Sequence, residues 1–523
     1  MKKLFIKSVL LLLSVSFSFF ANSQGFGSKQ IDSLISKSMG KMPQAGIAVV
    51  LVKDGEVLHS KGYGLCSMQT KEKVDENTLF AIASNSKAFT TAALSILVDE
   101  GKISWTDKVV DYIPEFKMYD PYVTANFTIQ DLLTHRSGLG LGAGDLMIFP
   151  HGSDFTINDV VSSFQYQEQV SDFRTKYDYD NLLYIVAGEI IAKISGTSWT
   201  EFVETRIFAP LEMDRSAGTF QSVRSKTNIA LPHSTETGEL QQIETYSNNL
   251  TAAAGGIYSS VDDMSKWLLM LLNEGKYGYR LKKKLFSKKN LNEMWTAHTR
   301  INFNYKPQSR YKTHFSYYGL GWKLSDENSY LTISHTGGLP GMLSMTTLIP
   351  ELNLGVVVLT NSAPGGLGYY IISKAITDSY IGVEKFDWIK RAENALSYSQ
   401  NVGDSVVNKV WETVENANTD HLNLENFIGT YKDNWFGEVE VSLKEDKLWF
   451  RSLRSPKLSG EMFFYKATTF AIKMEYKDMT SDAFATFSLD KEGKATMIKM
   501  EGISPNIDFS FDYQDLELLR IAD

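Results

Sequence analysis

The sequence predicts an α+β protein in two parts: an antiparallel sheet flanked by helices and carrying a helical subdomain, then a smaller antiparallel β unit. Three observations carry this reading. Strand patterns stand at both ends of residues 24–385 around a helix-rich middle, residues 386–421 are charged and helix-compatible, and residues 422–523 alternate apolar with polar positions between turns.

Taken in order, a helix is expected near Ile31 to Ser38, and residues 46–65 read as two apolar strands joined at Asp54-Gly55, a dipeptide suited to the positive φ of a tight hairpin. A helix-rich stretch runs from Asn85 to about residue 300, strands return at 330–334, 343–349 and 355–360, and a helix covers Gly368 to Asp378. Residues 386–421 are expected to connect the two parts. Past them, Val439, Val441 and Leu443 alternate with polar residues, residues 484–489 do likewise, and Lys491-Glu492-Gly493 marks a turn, the pattern of a barrel or sandwich.

Composition bounds the function. With 43% hydrophobic and 22% charged residues the chain is globular, and its 523 residues supply material for one large and one smaller core. Cys66 is the single cysteine, so no intramolecular disulfide forms, and it is expected in a buried strand. Lys2, Lys3 and Lys7, the apolar run Val9 to Phe20 and the small residues Ala21-Asn22-Ser23 form the pattern of a secretory signal peptide over residues 1–23, too short to span a bilayer. Export to the periplasm or beyond is the expectation, with no later membrane span. A net charge of −8, more negative once those lysines are removed, speaks against nucleic acid as a partner. The basic run Arg280 to Lys289 is expected to be a solvated helix face.

The chemistry begins at FAIASNSKAF, residues 80–89. Ser84 and Lys87 stand three apart at the start of a helical pattern, so the amine reaches the hydroxyl within one turn, and a desolvated lysine can take the serine's proton. Ser38 and Lys41 share the spacing, and a capping serine with an exposed lysine is the plainer reading of any such pair. In YDYDNLLYIVAGEII, Tyr179 and Asn181 lead directly into an amphipathic helix; a phenol beside a cation is expected to have a lowered pKa and to act as base, then acid. Asn181 offers both a donor and an acceptor to a substrate amide. Tyr246-Ser247-Asn248 repeats that spacing but leads into AAAGG, a poorer platform. SHTGGLPGM places His335, Thr336 and Gly337 at a strand end, where the edge can dock an extended substrate, the Gly338 amide can join that of Ser84 in an oxyanion hole, and His335 can donate to a substrate carboxylate or tune the tyrosine. The remaining histidines (His59, His135, His151, His233, His298, His314, His421) form no metal-site spacing, and no cofactor is implied. His135 and Arg136 are expected to hold a turn before Gly138, and Tyr317, Tyr318 and Trp322 either wall the pocket or pack under the sheet.

Taken in this order, Ser84, Tyr179 and His335 make the sequence resemble the penicillin-recognising serine hydrolases. It is similar to the branch holding class C β-lactamases, D-Ala-D-Ala carboxypeptidases, D-aminopeptidases and related esterases. TIQDLLTHRSGL (128–139), PLEM (210–213), AAGGIYSS (253–260) and YGLGW (318–322) agree with it, over roughly residues 28–380. The resemblance implies a β-lactamase/transpeptidase-like fold, Ser84 as the acylated nucleophile, Lys87 and Tyr179 as the proton-transfer pair, and Asn181, His335, Thr336 and Gly337 as substrate-binding residues. Many β-lactamases of this superfamily carry lysine where His335 stands, so the resemblance implies a secreted D-amino-acid peptidase, carboxypeptidase or esterase acting on a small or peptide substrate. The alternatives are a β-lactamase, or a non-turnover penicillin-binding or sensor protein. The second part, with FIGTYKDNWFGEVEV, resembles a lipocalin-like accessory barrel.

Overall fold

The computed structural model describes residues 25–304, 306, 309–363, 367–420 and 422–522. The expected signal segment and His421 lie outside them.

Helix α1 (Ser28–Met39) leads into the hairpin β1 (Gly46–Lys53) and β2 (Glu56–Gly64). Asp54 and Gly55 adopt φ of 54° and 84°, the left-handed pair that a two-residue hairpin turn requires. The middle of the chain is helical, with α2 (Ser86–Asp99), α3 (Leu182–Ser195) and α4 (Val261–Leu272) as its longest members among the described residues. The chain then returns to strand through β3 (Thr299–Arg300), β4 (Ser316–Tyr318), β5 (Lys323–Glu327), β6 (Tyr330–Leu339), β7 (Met342–Ile349) and β8 (Leu354–Thr360), and α5 (Gly368–Ile381) covers the sheet.

Among the described residues the order is β2-β1-β8-β7-β6-β5-β4-β3, with every neighbouring pair antiparallel. The two ends of this part meet inside the sheet, one strand in from its β2 edge, where Ile47 pairs with Thr360 and Lys53 with Leu354. Alternation sends Ala48, Val50 and Val52 into the core shared with the helical middle, and Ile47, Val49 and Leu51 into a second core with α1 and α5. Both faces are covered, which is why β1 reads as an unbroken apolar run. Strands β3 to β5 carried no sequence signal: they are short, and Lys323, Ser325 and Glu327 face a cleft rather than a core. The basic run 280–289 is not one helix face. It divides into a 3-10 turn (Tyr279–Leu281), a short strand (Lys283–Lys284) and the start of a helix (Lys288–Met294), because Phe286 turns inward and is buried.

The stretch read as a connector contains the 28-residue helix α6 (Trp388–Glu415). Beyond it, β9 (Gly429–Asp433), β10 (Gly437–Lys444), β11 (Lys447–Ser452), β12 (Ser459–Lys466), β13 (Thr469–Met474), β14 (Ala483–Leu489), β15 (Ala495–Gly502) and β16 (Leu518–Ala522) close into an antiparallel barrel. Closure removes free edges. Inward positions such as Val439, Val441, Phe450 and Ile498 are buried, as the alternation requires. Arg454 anchors the barrel to the first part, bonding Asp154 Oδ1 at 2.7 Å and both Asp159 oxygens at 2.8 and 3.0 Å, with its guanidinium 4.1 Å from the Phe155 ring centre.

Candidate active site

Ser84 sits in a single 3-10 turn, Ala83–Asn85, directly before α2, and lines a cleft. Ala83 holds φ of 47°, an unfavourable value for a residue with a Cβ, so the surroundings must impose it. Strand β6 does so. A Cβ on Gly337 would stand 2.2 Å from the Ile82 carbonyl oxygen and 2.5 Å from Ser344 Oγ, so only glycine lets β6 cross this close to the nucleophile's turn. Ser344 Oγ donates to the Ile82 carbonyl at 2.7 Å and accepts from Asn85 Nδ2 at 2.8 Å, fixing the turn from below.

Lys87 is fully buried, and its amine has three partners: Ser84 Oγ at 3.2 Å, Asn181 Oδ1 at 2.7 Å and the Ala254 carbonyl at 3.0 Å. The small residues of AAAGG let α2 approach closely enough for that carbonyl contact, and Thr90 Oγ1 adds a 2.6 Å bond to the Ala253 carbonyl. Desolvation lowers Lys87 to about 7, against the Asp145 and Asp180 carboxyls, which favour its charged form. Asn181 is held in turn by Asp145, whose Oδ2 accepts from Asn181 Nδ2 at 2.7 Å. Burial raises the Asp145 carboxyl well above its usual range and lifts Asp180 to about 7.

Tyr179 packs with its ring centre 4.8 Å from Lys87 Nζ and 6.3 Å from the His335 ring. The expectation of a lowered phenol pKa is overturned. Burial drives it well above its ordinary value, and the Ser84 hydroxyl is the neighbour that favours ionisation. Tyr179 is therefore a neutral donor, with the Ser84 hydroxyl as its polar neighbour and no hydrogen bond of good geometry among the described residues. The group poised near neutrality is Lys87. Behind the phenol, the His135 ring packs tilted by 35° at 4.2 Å between ring centres and accepts the Asp180 N–H on Nδ1 at 3.1 Å. The structure places it there, with φ of 52°, as a support for Tyr179 and Asp180.

His335 faces Tyr179 with both nitrogens engaged: Nδ1 lies 2.6 Å from the Thr336 carbonyl, so it carries the proton, and Nε2 accepts from Tyr318 O–H at 2.7 Å. Burial lowers it to about 3, so it is neutral. The expected donation to a substrate carboxylate thus has no free N–H. The cation the sequence reading missed is Lys323, which lines the cleft beside Ser334 at the point where β5 leaves β6. Its only cue was its place directly after YGLGW. Past Ser334, residues 335–339 of β6 pair with β7 alone and present their other edge to the cleft.

Ser84, Tyr179, Asn181, His335, Thr336, Gly337 and Gly338 all line one cavity of about 670 Å³. Lys87 closes its floor through the bonds above. Tyr318 walls the cavity, whereas Trp322 is buried in the core. Of the decoys, Tyr246 reaches the cavity but bonds the Ile148 carbonyl at 2.9 Å, and Ser38 lies in α1 in the other core's layer. Cys66 is buried in a bend just past β2, its thiol pushed up by burial. Among the described residues no group of three or more His, Cys, Asp or Glu could hold a metal ion.

Comparison with known proteins gives the family and the fold. The family described as Beta-lactamase matches residues 31–371, and a domain of unknown function, DUF3471, matches residues 414–520. The Unguisins hydrolase ungD of Aspergillus violaceofuscus is 26% identical over 426 residues, covering 77% of this chain and 74% of its own. Protein flp of Staphylococcus aureus strain MW2 is 28% identical over 341 residues, 64% of this chain and 63% of its own. The octameric penicillin-binding protein homologue from Pyrococcus abyssi has a similar fold, with a TM-score of 0.58 at 21% identity over 94% of this chain and 99% of that one. The class C β-lactamase from Rhodobacter sphaeroides follows with 0.53 at 19% identity, over 68% and 99%. With a family match across most of the chain and the fold to accompany it, this protein belongs to the β-lactamase family of serine hydrolases.

Proposed function

We propose that the protein cleaves an amide or ester bond through an acyl-enzyme on Ser84, acting on D-amino-acid peptides and on small esters. The observation that carries the reading is the saturation of Lys87. Asn181 Oδ1 and the Ala254 carbonyl accept two of its N–H bonds, so in the neutral amine the remaining tetrahedral direction, toward Ser84, is a lone pair. Neutral Lys87 takes the Ser84 proton as the oxygen attacks the carbonyl. The amides of Ser84 and Gly338 receive the oxyanion. Tyr179, a neutral donor beside the Ser84 hydroxyl, passes a proton to the leaving group and is reprotonated from Lys87, so the serine proton leaves with the departing nitrogen or oxygen. Water then reverses the sequence.

Two features favour a peptide. The unpaired edge at 335–339 offers backbone bonds to an extended chain, and the Lys323 side chain, without a hydrogen bond or ion pair of its own among the described residues, lines the same cleft, where a substrate carboxylate would offset the desolvation that lowers its pKa. Export across the inner membrane is supported by the sequence of residues 1–23 and is tested by sequencing the N-terminus of the protein from its source.

The test labels the full-length mature protein with a fluorophosphonate, which marks the nucleophile irreversibly, and with a fluorescent penicillin, whose ester can hydrolyse. Covalent label on Ser84 that is absent in Ser84→Ala, with the penicillin label shed within minutes, supports turnover. Penicillin label that persists for hours makes the protein a penicillin-binding sensor, and label surviving in Ser84→Ala removes the nucleophile from the reading. A panel of D-peptides, p-nitrophenyl esters and a chromogenic cephalosporin then ranks the substrates.

A further inference from the structure

We propose that residues 508–512 of the C-terminal barrel are a positioning element of the catalytic site, holding Asn181 through Asp145; this rests on the acyl-enzyme reading above. The segment between β15 and β16 leaves the barrel and enters the back of the cleft. Three contacts define what it does there. Ser510 Oγ donates to Asp145 Oδ2 at 3.0 Å. Asp512 accepts the Gly144 N–H on Oδ2 at 2.7 Å and the Leu146 N–H on Oδ1 at 2.9 Å. Phe509 meets the Tyr179 ring edge-on, 6.0 Å between centres, and its carbonyl and ring abut Gly142, where a Cβ would stand 2.7 and 2.8 Å from them.

Residues 142–146 are thus clamped between the barrel on one side and the catalytic turn on the other. On the catalytic side the Gly142 N–H donates to the Tyr179 carbonyl at 2.8 Å, and Asp145 Oδ2 accepts from Asn181 Nδ2. A continuous chain of hydrogen bonds follows: Ser510 to Asp145, Asn181 to Asp145, Lys87 to Asn181.

The chain decides a chemical ambiguity. An asparagine amide fits its site in two orientations, and only one presents oxygen to Lys87; the other would set N–H against N–H. Asp145 Oδ2 selects the right one by accepting from Nδ2. Asp145 Oδ1 is buried without a hydrogen-bond partner among the described residues, so the carboxyl is oriented by Asn181 and Ser510 alone. Without Ser510, Asp145 can turn, and with it the acceptor that fixes the amine's lone pair on Ser84. The charged and titratable groups facing Asp145 are Lys87, Asp180, Asp512 and the phenols of Tyr179 and Tyr246. Beside the apolar contacts of Phe509 and Phe511, two carboxyls and a hydroxyl are buried behind Asn181, which costs stability and yields geometry.

The experiment uses the full chain with Ser510→Ala, Ser510→Thr and Asp512→Ala. It reads the rate of fluorophosphonate labelling of Ser84, kcat and KM on a p-nitrophenyl ester, thermal melting, and hydrogen exchange at the Gly144 and Leu146 amides. Ser510→Ala is expected to slow labelling and kcat about ten-fold, with KM unchanged and melting little altered, and Ser510→Thr to recover to within about two-fold by restoring the hydroxyl. Asp512→Ala is expected to speed exchange at both amides. Wild-type labelling in Ser510→Ala, or a loss that tracks melting and is not rescued by threonine, overturns the proposal. If the wild-type protein takes no label, the acyl-enzyme reading fails separately, and unchanged exchange in Asp512→Ala still overturns the clamp.

Discussion

Changing pH gives the most direct test of the base. With Lys87 lowered to about 7, roughly a tenth of the amine is neutral at pH 6 and roughly nine tenths at pH 8, so labelling of Ser84 should rise about ten-fold across that window and then level off. A lysine at its ordinary value of 10.5 behaves differently, climbing about ten-fold per pH unit through pH 8 and on toward pH 10 without a plateau. The sign follows from the role: the neutral form is the base, so activity is lost as pH falls through about 7. Asp180, raised to about 7 by burial, ionises in the same window and favours the charged amine, which stretches the transition. Asp180→Asn keeps an oxygen for the Leu183 N–H that Asp180 Oδ1 accepts at 3.3 Å but removes the charge, so the acid limb should move to lower pH by roughly one unit. The assay is fluorophosphonate labelling quenched at timed intervals between pH 5 and 10. A log-linear climb beyond pH 8, or an Asp180→Asn limb that stays put or moves up, would refute Lys87 as the base.

Tyr179→Phe should slow turnover of an amide substrate, whose leaving group needs a proton, by about two orders of magnitude or more, while melting does not fall, because the buried phenol oxygen makes no bond of good geometry among the described residues. Gly337→Ala should cost about 2 kcal/mol or more in a urea titration and abolish labelling, since the new Cβ collides with the Ile82 carbonyl that shapes the nucleophile's turn. Arg454→Ala removes charge-assisted bonds to Asp154 and Asp159 at the junction of the two parts and should lower stability by about 1–2 kcal/mol, read as an earlier thermal transition.

The catalytic set was legible because its chemistry is local. Ser84 and Lys87 share one helical turn, and Tyr179 and Asn181 sit at the start of α3, so each pair announces itself before any tertiary contact is known. Strands β6 to β8 and the hairpin at Asp54-Gly55 were legible for a similar reason, through apolar runs and turn chemistry. What escaped depends on distant neighbours. Lys323 is one lysine among many until β5 lies beside β6, and the direction of the Tyr179 pKa turns on burial depth, which spacing does not report. The engagement of His335 depends on Tyr318, across the sheet from it. Ser510 and Asp512 carry no motif; their roles arise where the barrel docks.

The seam between β1 and β8 sets a timetable for biosynthesis. Ile47 cannot find Thr360 until the ribosome has added some three hundred further residues, which at about 5–20 residues per second takes roughly 15–60 s. Throughout that interval the early hairpin offers a bare flank to any passing extended polypeptide, a hazard met by chaperones or by delay in folding. Ser84 emerges early yet gains its final surroundings late, for the crossing glycine at 337 arrives close to the end of the same wait.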